Sequence, residues 1–333
     1  MKREEFETKT KTRKEKKKKK QILMTRKRYD DIIVRNQCTV EDEVVGRDDD
    51  VVADEEEEEE EEVFDVYIED TDHYGVVYYA NYFKFCAQAF EGYLVNRSSM
   101  IKRDEVVCDY IKWAKYLTAA KLGYRISVKT KVLKVCEEKG ESIWDVEHRV
   151  LKRTKSDVDD DVVCFTCNVQ YSNSQQRSDD VDEDEIGNSN NSNSSSTEIR
   201  LFKTELSANA SYHVDVLRWF ERNRTDRIGG PNALERLKSE EECVVVVSAI
   251  ENVSIDHKAL GNIASTTKST IPILESFSSI TFKRRDVQCE FSQTIQDRTG
   301  KLIAAGSVTC TIIHRDSMKP RKCPDRLKLK LLA

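Results

Sequence analysis

The chain reads as an α+β protein in which one pattern occurs twice: a long helix wrapped by an antiparallel sheet. Three observations predict this. Each half carries one run of helical period followed by several runs of period two. The halves present these runs in the same order. Between them, residues 174–199 are rich in Ser, Asn and Asp and nearly free of apolar side chains, the composition of a linker.

In the first half Val63 to Ile68 reads as a short strand. Asn81 to Leu94 then places Tyr82, Cys86, Ala89, Phe90 and Tyr93 on one helical stripe. Period-two stretches follow at Ile126–Val132, Trp144–Val150 and Phe165–Tyr171, as an antiparallel meander requires. The second half begins near Arg200. Asp215 to Ile228 repeats the helix with Val216, Leu217, Trp219, Phe220 and Ile228, and Gly229-Gly230-Pro231 reads as a glycine cap with a proline stop. Strands are predicted at Val244–Ile250, around Ile271–Phe282, at Val287–Ile295 and at Leu302–Ile313, the last two joined through Asp297-Arg298-Thr299-Gly300. The resulting division is a charged tail at 1–60, a first domain at 61–173, the linker at 174–199, a second domain at 200–315 and a C-terminal tail at 316–333.

Charged residues make up 35% of the 333, above the roughly 25% of an average soluble domain, and the excess lies in runs. Lys16 to Lys20 form a basic run and Glu55 to Glu62 an acidic one. Blocks of like charge repel and bury nothing, so residues 1–60 are expected to be disordered, a solvated tail rather than a nucleic-acid module. No apolar core of a secretory signal follows the N-terminus, no stretch is apolar enough to span a bilayer, and Glu4, Glu5 and Glu7 are unlike an acid-poor transit peptide. A soluble, cytoplasmic protein is expected, with an organellar address left open. Of ten cysteines, only Cys164 and Cys167 form a C-x-x-C. They lie in a strand-like run where residues three apart face opposite sides, so they read as buried thiols of a reducing compartment, not as metal ligands.

The most informative stretch is Asp70-Thr71-Asp72-His73-Tyr74-Gly75-Val76-Val77-Tyr78-Tyr79-Ala80-Asn81-Tyr82. A carboxylate at Asp72 precedes a glycine that permits a tight turn, and an aromatic helix follows whose first N–H groups are free to bind an oxyanion. Asp70, Asp72, Gly75, Val76, Val77, Tyr78 and Tyr82 match, in order and without gaps, the signature of the 4-hydroxybenzoyl-CoA thioesterase-like family of the hotdog fold. The second helix resembles the same family in Trp219-Phe220-Glu221-Arg222-Asn223-Arg224-Thr225, whereas the first has Ala87 and Gln88 in place of that glutamate and its neighbour.

The resemblance implies a tandem hotdog that hydrolyses an acyl thioester, with its active site between two hotdogs. It makes Asp72 the nucleophile or general base and the N–H of Tyr79 the group that polarises the carbonyl. Gly75, Val76, Tyr78 and Tyr82 become substrate-binding. Glu91 and Glu221, on the two helices, are alternative acids; His213, in a run faintly similar to the His-Val-Asn-Asn of plant acyl-carrier-protein thioesterases, is an alternative base. Aligning Asn81 with Asp215 sets Leu206 opposite Asp72, so one working site per chain is expected. No Walker loop, dinucleotide glycine motif or metal-ligand spacing occurs, and no cofactor is expected. The expected partners are an acyl-CoA or acyl-carrier-protein substrate and the other half of the same chain, with further homo-oligomerisation left open.

Overall fold

The computed structural model describes residues 59–72, 75–97, 106–138, 141–153, 161–173, 195–201, 212–266 and 272–332. All but the end of the charged tail, most of the linker, and the Leu206 position lie outside them.

The first half contains strand β1 (Glu60–Asp65), helix α1 (Asn81–Arg97) and strands β2 (Val106–Tyr116), β3 (Arg125–Glu138), β4 (Glu141–Arg153) and β5 (Val162–Asn173). The second contains β6 (Ser195–Arg200), α2 (Tyr212–Ile228), α3 (Pro231–Glu240), β7 (Cys243–Ile255), α4 (His257–Thr266), β8 (Ile273–Lys283), β9 (Gln288–Gln296), β10 (Leu302–His314) and α5 (Asp325–Leu332). All ten strands join in one sheet of order β1-β3-β4-β5-β2-β7-β10-β9-β8-β6. Read from either end, the order is the same pattern, and every pairing is antiparallel. The halves meet where β2 pairs with β7, through Ile111 opposite Val253 and Ala114 opposite Ile250.

Helix α1 lies against β1, β3 and β4, and α2 takes the corresponding place against β6 and β8. The register between the helices is visible in what they bury. Asn81, Tyr82, Phe83, Phe85, Cys86, Ala89, Phe90 and Leu94 are the buried residues of α1. Moved along the chain by the Asn81-to-Asp215 step, they fall on Asp215, Val216, Leu217, Trp219, Phe220, Asn223, Arg224 and Ile228, all of them buried. Both helices therefore present the same stripe to their sheets, as their shared 3.6-residue period requires.

Several elements differ from the sequence reading, helix α4 among them, since none is predicted between Ile250 and Ile271. Strand β2, which forms the seam, was not predicted. Its pairing with β5 slips between Cys108 and Tyr110 and again between Ile111 and Trp113, and these bulges break the alternation that marks a strand. Strand β6 falls in the segment read as linker: Ser195, Ser196 and Thr197 look like loop, yet they pair with Ser278, Phe277 and Ser276 of β8. Pro231 does not stop the chain's helical run for long. Gly229 and Gly230 turn it at φ 112° and 82°, and Pro231 then opens α3, since proline's fixed φ and missing N–H suit a first helical turn. The C-terminal tail carries α5, whose Leu327 and Leu331 are buried, with the Leu331 carbonyl accepting from Arg227 Nη2 of α2 at 3.1 Å.

Beneath α1 the sheet holds a buried polar trio. His148 is fully buried, with Nδ1 3.1 Å from Thr130 Oγ1 and Nε2 3.2 Å from Tyr171 Oη. Burial pulls its pKa down to about 3 from an ordinary 6.5, and burial also lowers that of His213 to about 4. The unfolded chain therefore takes up these two protons first as pH falls. The stability they contribute is complete above about pH 6.5 and is lost progressively toward the folded values, at a slope of about 1.4 kcal/mol per pH unit per proton. Denaturant unfolding between pH 6.5 and 5, where most carboxylates stay ionised, should show this slope, and His148→Gln should remove about half of it. A flat profile would contradict the neutral burial of these rings.

Candidate active site

The sequence around Asp72 folds as a small pinned loop. A short 3-10 turn, Ile68–Asp70, ends in Asp70, which is buried and accepts the Tyr67 N–H at 3.0 Å and Lys84 Nζ at 3.2 Å. Asp70 is thereby a structural anchor. From there the chain turns back on itself: Asp72 N donates to Val76 O at 2.8 Å, Gly75 N to Asp72 O at 2.9 Å, and Val76 N to the Asp72 side-chain Oδ1 at 3.2 Å. Gly75 sits at φ 70°, the left-handed conformation that glycine adopts without strain. Val77 N and Leu122 N then fasten the loop to the segment after β2, through Ala120 O at 3.0 Å and Gly75 O at 3.0 Å.

Tyr78 and Tyr79 carry the loop across the seam to α2. The Tyr78 hydroxyl donates to Glu221 Oε2 and the Tyr79 hydroxyl to the Leu217 carbonyl. Arg224 Nη2 donates to Tyr79 Oη at 3.0 Å, and Arg218 Nη2 to Asn81 Oδ1 at 3.4 Å. Burial, with the neighbouring Tyr79 and Glu221, holds the Tyr78 hydroxyl far above its ordinary range. Burial also pushes Tyr79 up to about 12 despite the opposing Arg224 charge. Both phenols are therefore neutral donors at pH 7. Among the described residues, no hydrogen bond uses the N–H of Tyr79 or of Ala80, the open donors expected just ahead of a helix.

A cavity of about 760 Å³ opens along this contact. Glu69, Thr71, Tyr78 and Asn81 line it from the first half; Arg218, Glu221, Arg222, Thr225 and Asp226 of α2 and Glu198, Ile199 and Arg200 of β6 line it from the second. Acids and arginines alternate on its wall. The volume lies within the ~300–1,000 Å³ common for small-ligand sites.

The residues singled out from sequence separate clearly. Tyr78 and Glu221 are on the cavity wall and touch one another. Asp72 is half-buried and, like Tyr79, does not line the cavity, although its neighbours in sequence, Thr71 and Tyr78, do. Gly75 and Val76 shape the turn and do not line the cavity. Tyr82 faces the core instead: it is 3% exposed, stacks on Phe165 at 5.1 Å and accepts the Ala120 N–H at 2.9 Å. Glu91 is on α1 and does not line the cavity; the residue at its matching position on α2, Thr225, does. His213 is buried, with the backbone of Phe83 on α1 acting on its ring and its Nε2 without a hydrogen-bond partner among the described residues. One Asn81-to-Asp215 step carries Tyr79 to His213 and Phe83 to Leu217, so the Tyr79–Leu217 and His213–Phe83 contacts are the same clamp on the two sides of the seam.

Sequence reasoning missed Arg218 and the β6 wall. The helix-two motif did contain Arg224 and Thr225, one turn beyond Glu221, and that i, i+3, i+4 spacing was the available signal.

No family model matches the chain. Two curated relatives, the acyl-CoA thioesterase YbgC of Helicobacter pylori strains 26695 and J99, are each 38% identical over 69 residues, or 20% of this chain. That match covers 51% of their length, so the chain spans about half of the curated relatives it matches. Among solved structures, one from Lactobacillus plantarum named as an oleoyl thioesterase is similar with a TM-score of 0.51 at 7% identity, over 77% of this chain and 97% of its own. An acyl-ACP thioesterase from Bacteroides thetaiotaomicron is similar with a TM-score of 0.50 at 10% identity, over 76% of this chain and 97% of its own. At such identities the likeness speaks for fold alone, and with the mirrored strand order it establishes that the chain is a tandem hotdog.

Proposed function

We propose that the chain hydrolyses an acyl-CoA to free acid and thiol at one site, where the loop of the first hotdog meets the helix of the second. Water adds across the C–S bond: the acyl carbon gains the hydroxyl and the thiol sulfur gains the proton. Asp72 is the acid that attacks the thioester carbon or activates the water, and the N–H of Tyr79 donates to the carbonyl oxygen as it becomes an oxyanion. Glu221, held by Tyr78, is a polar wall group that orients the loop and the thioester. Gly75 and Val76 act through the turn that holds the Asp72 carboxylate. Glu91 and His213 are assigned no chemical step, His213 because it is buried as a neutral clamp.

The observation that carries this reading is that α2 closes over the segment following Asp72, so that residues of both hotdogs wall a single ligand-sized cavity. Leu206, opposite Asp72 in the duplicated pattern, supports one site rather than two. The choice of coenzyme A over a carrier protein follows the YbgC relatives, which are named acyl-CoA thioesterases.

Thiol release from a panel of acyl-CoAs, with the same acyl groups on acyl-carrier protein, tests the proposal. Turnover on the CoA series is the expected result. Turnover only on the carrier protein would move the substrate class, and acyl binding without thiol release would make the chain a binding protein. Within the active series, Glu221→Gln should reduce kcat by roughly 10-fold, less than the loss of a general base.

A further inference from the structure

Arg224 lies on the buried face of α2 with 4% of its surface exposed. At the matching position of α1 the first hotdog places Phe90, which stacks on Tyr171 with ring centroids 4.4 Å apart and meets Trp144 edge-on at 5.8 Å. A phenyl ring fills that place in the core without electrostatic cost. A guanidinium cannot shed its proton, and burying it without a carboxylate partner is expensive.

Among the described residues the hydrogen bonds of Arg224 run to Gln293 Oε1 at 2.8 Å and Tyr79 Oη at 3.0 Å, both uncharged acceptors. The charge of Glu221 acts on it from one turn earlier, but that carboxylate takes the Tyr78 hydroxyl. Gln293 is itself fixed. Its Nε2 donates to Phe220 O at 2.9 Å and Asn223 Oδ1 at 3.1 Å, so its oxygen is the end presented to the arginine. One arm of the guanidinium is thus anchored within the second hotdog while the other crosses the seam.

On the far side, Tyr79 is held at three points. Its hydroxyl donates to Leu217 O and accepts from Arg224, the guanidinium carbon lies 5.6 Å from the ring centroid, and its carbonyl accepts the Tyr116 hydroxyl at 3.0 Å. Side chain and carbonyl are fixed, while the Tyr79 N–H makes no hydrogen bond among the described residues.

We propose that Arg224 is a positioning residue: from the second hotdog it fixes the Tyr79 side chain and so aims the Tyr79 peptide N–H at the substrate's carbonyl oxygen. This rests on the thioesterase reading above. A peptide donor stabilises a developing oxyanion only when it is already in place, and a displacement of about 1 Å can cost on the order of 10²-fold in rate. The other side of the seam fits the same logic. There His213 occupies the Tyr79 position and Phe90 the Arg224 position, so that side has the clamp to the opposing helix but lacks the cation that completes it.

The test uses Tyr79→Phe, Arg224→Met and their double variant in the full chain, with steady-state hydrolysis of the best acyl-CoA and a thermal melt for each. Tyr79→Phe keeps the ring and the N–H and removes only the hydroxyl that Arg224 grips. Each single change should lower kcat by about 10- to 100-fold with KM within about twofold, and the double variant should be no worse than the poorer single, because the two groups act in series. A lower melting temperature with kcat per folded molecule unchanged would assign Arg224 to packing and overturn the proposal. Should Arg224→Met not fold, Tyr79→Phe alone decides. A second readout is independent of turnover. In protein labelled with ¹⁵N-tyrosine, the Tyr79 amide, identified by its loss in Tyr79→Phe, should be one sharp line that broadens or doubles in Arg224→Met, or in Arg224→Lys if the methionine variant does not fold. If the parent hydrolyses no thioester the functional reading falls, and an unchanged Tyr79 line would then overturn the positioning role by itself.

Discussion

Asp72→Asn is expected to fold like the parent and to lose hydrolysis of acyl thioesters by about 10²-fold or more, in line with the 10²–10⁴ that a positioned base contributes. The substitution keeps the size of the side chain and its place in the turn. The amide oxygen can still accept the Val76 N–H that Asp72 Oδ1 accepts at 3.2 Å, so the loop retains its closing bond. What disappears is the anion. A carboxylate anion can attack a carbonyl or take a proton from water, while an amide does neither. The measurement is kcat and KM on one good acyl-CoA beside a melting curve. A large fall in kcat with an unchanged melt is the expected pair. Near-normal turnover would remove Asp72 from the chemistry and direct attention to Glu221, the cavity-wall acid that the Tyr78 hydroxyl contacts.

The second large effect concerns the seam. Ala114 of β2 is fully buried and paired on both edges, with Cys167 of β5 and with Ile250 of β7. Ala114→Asp puts a carboxylate where neither neighbouring strand offers a cation, at a cost of several kcal/mol out of a total stability of about 5–15 kcal/mol. Because the ten strands form one sheet over one continuous core, the loss should strike both hotdogs together. Calorimetry should find a single transition in the parent and, in the variant, a single transition at least about 10 °C lower, or no folded protein at all. Two transitions, with one half melting as in the parent, would show that the hotdogs fold independently and that the seam adds little.

The sequence by itself determined the repeating unit and the turn that carries Asp72. Tyr82, Cys86, Ala89 and Phe90 recur at helical spacing, and β3, β4 and β5 alternate cleanly, because each element buries one face and leaves the other to water; such periods can be read without knowing the neighbours. Asp72 and Gly75 were legible because a tight turn restricts the residues that can form it. Strand β2 escaped for the opposite reason: its bulges exist to fit β5 on one edge and β7 on the other, and no local period records a partner more than a hundred residues away. The contacts of Tyr78 with Glu221, of Tyr79 with Arg224, and of His213 with Phe83 are likewise products of tertiary structure. Each joins residues far apart in sequence that come within reach only when β2 pairs with β7 and brings the two helices side by side. Tertiary structure also reassigned Tyr82 from the expected site to the core and drew the cavity wall from β6, a polar run that becomes a strand only because β8 offers it an edge. Local physics wrote the elements into the chain, and the long-range pairing of two halves decided which of their side chains line a common cavity.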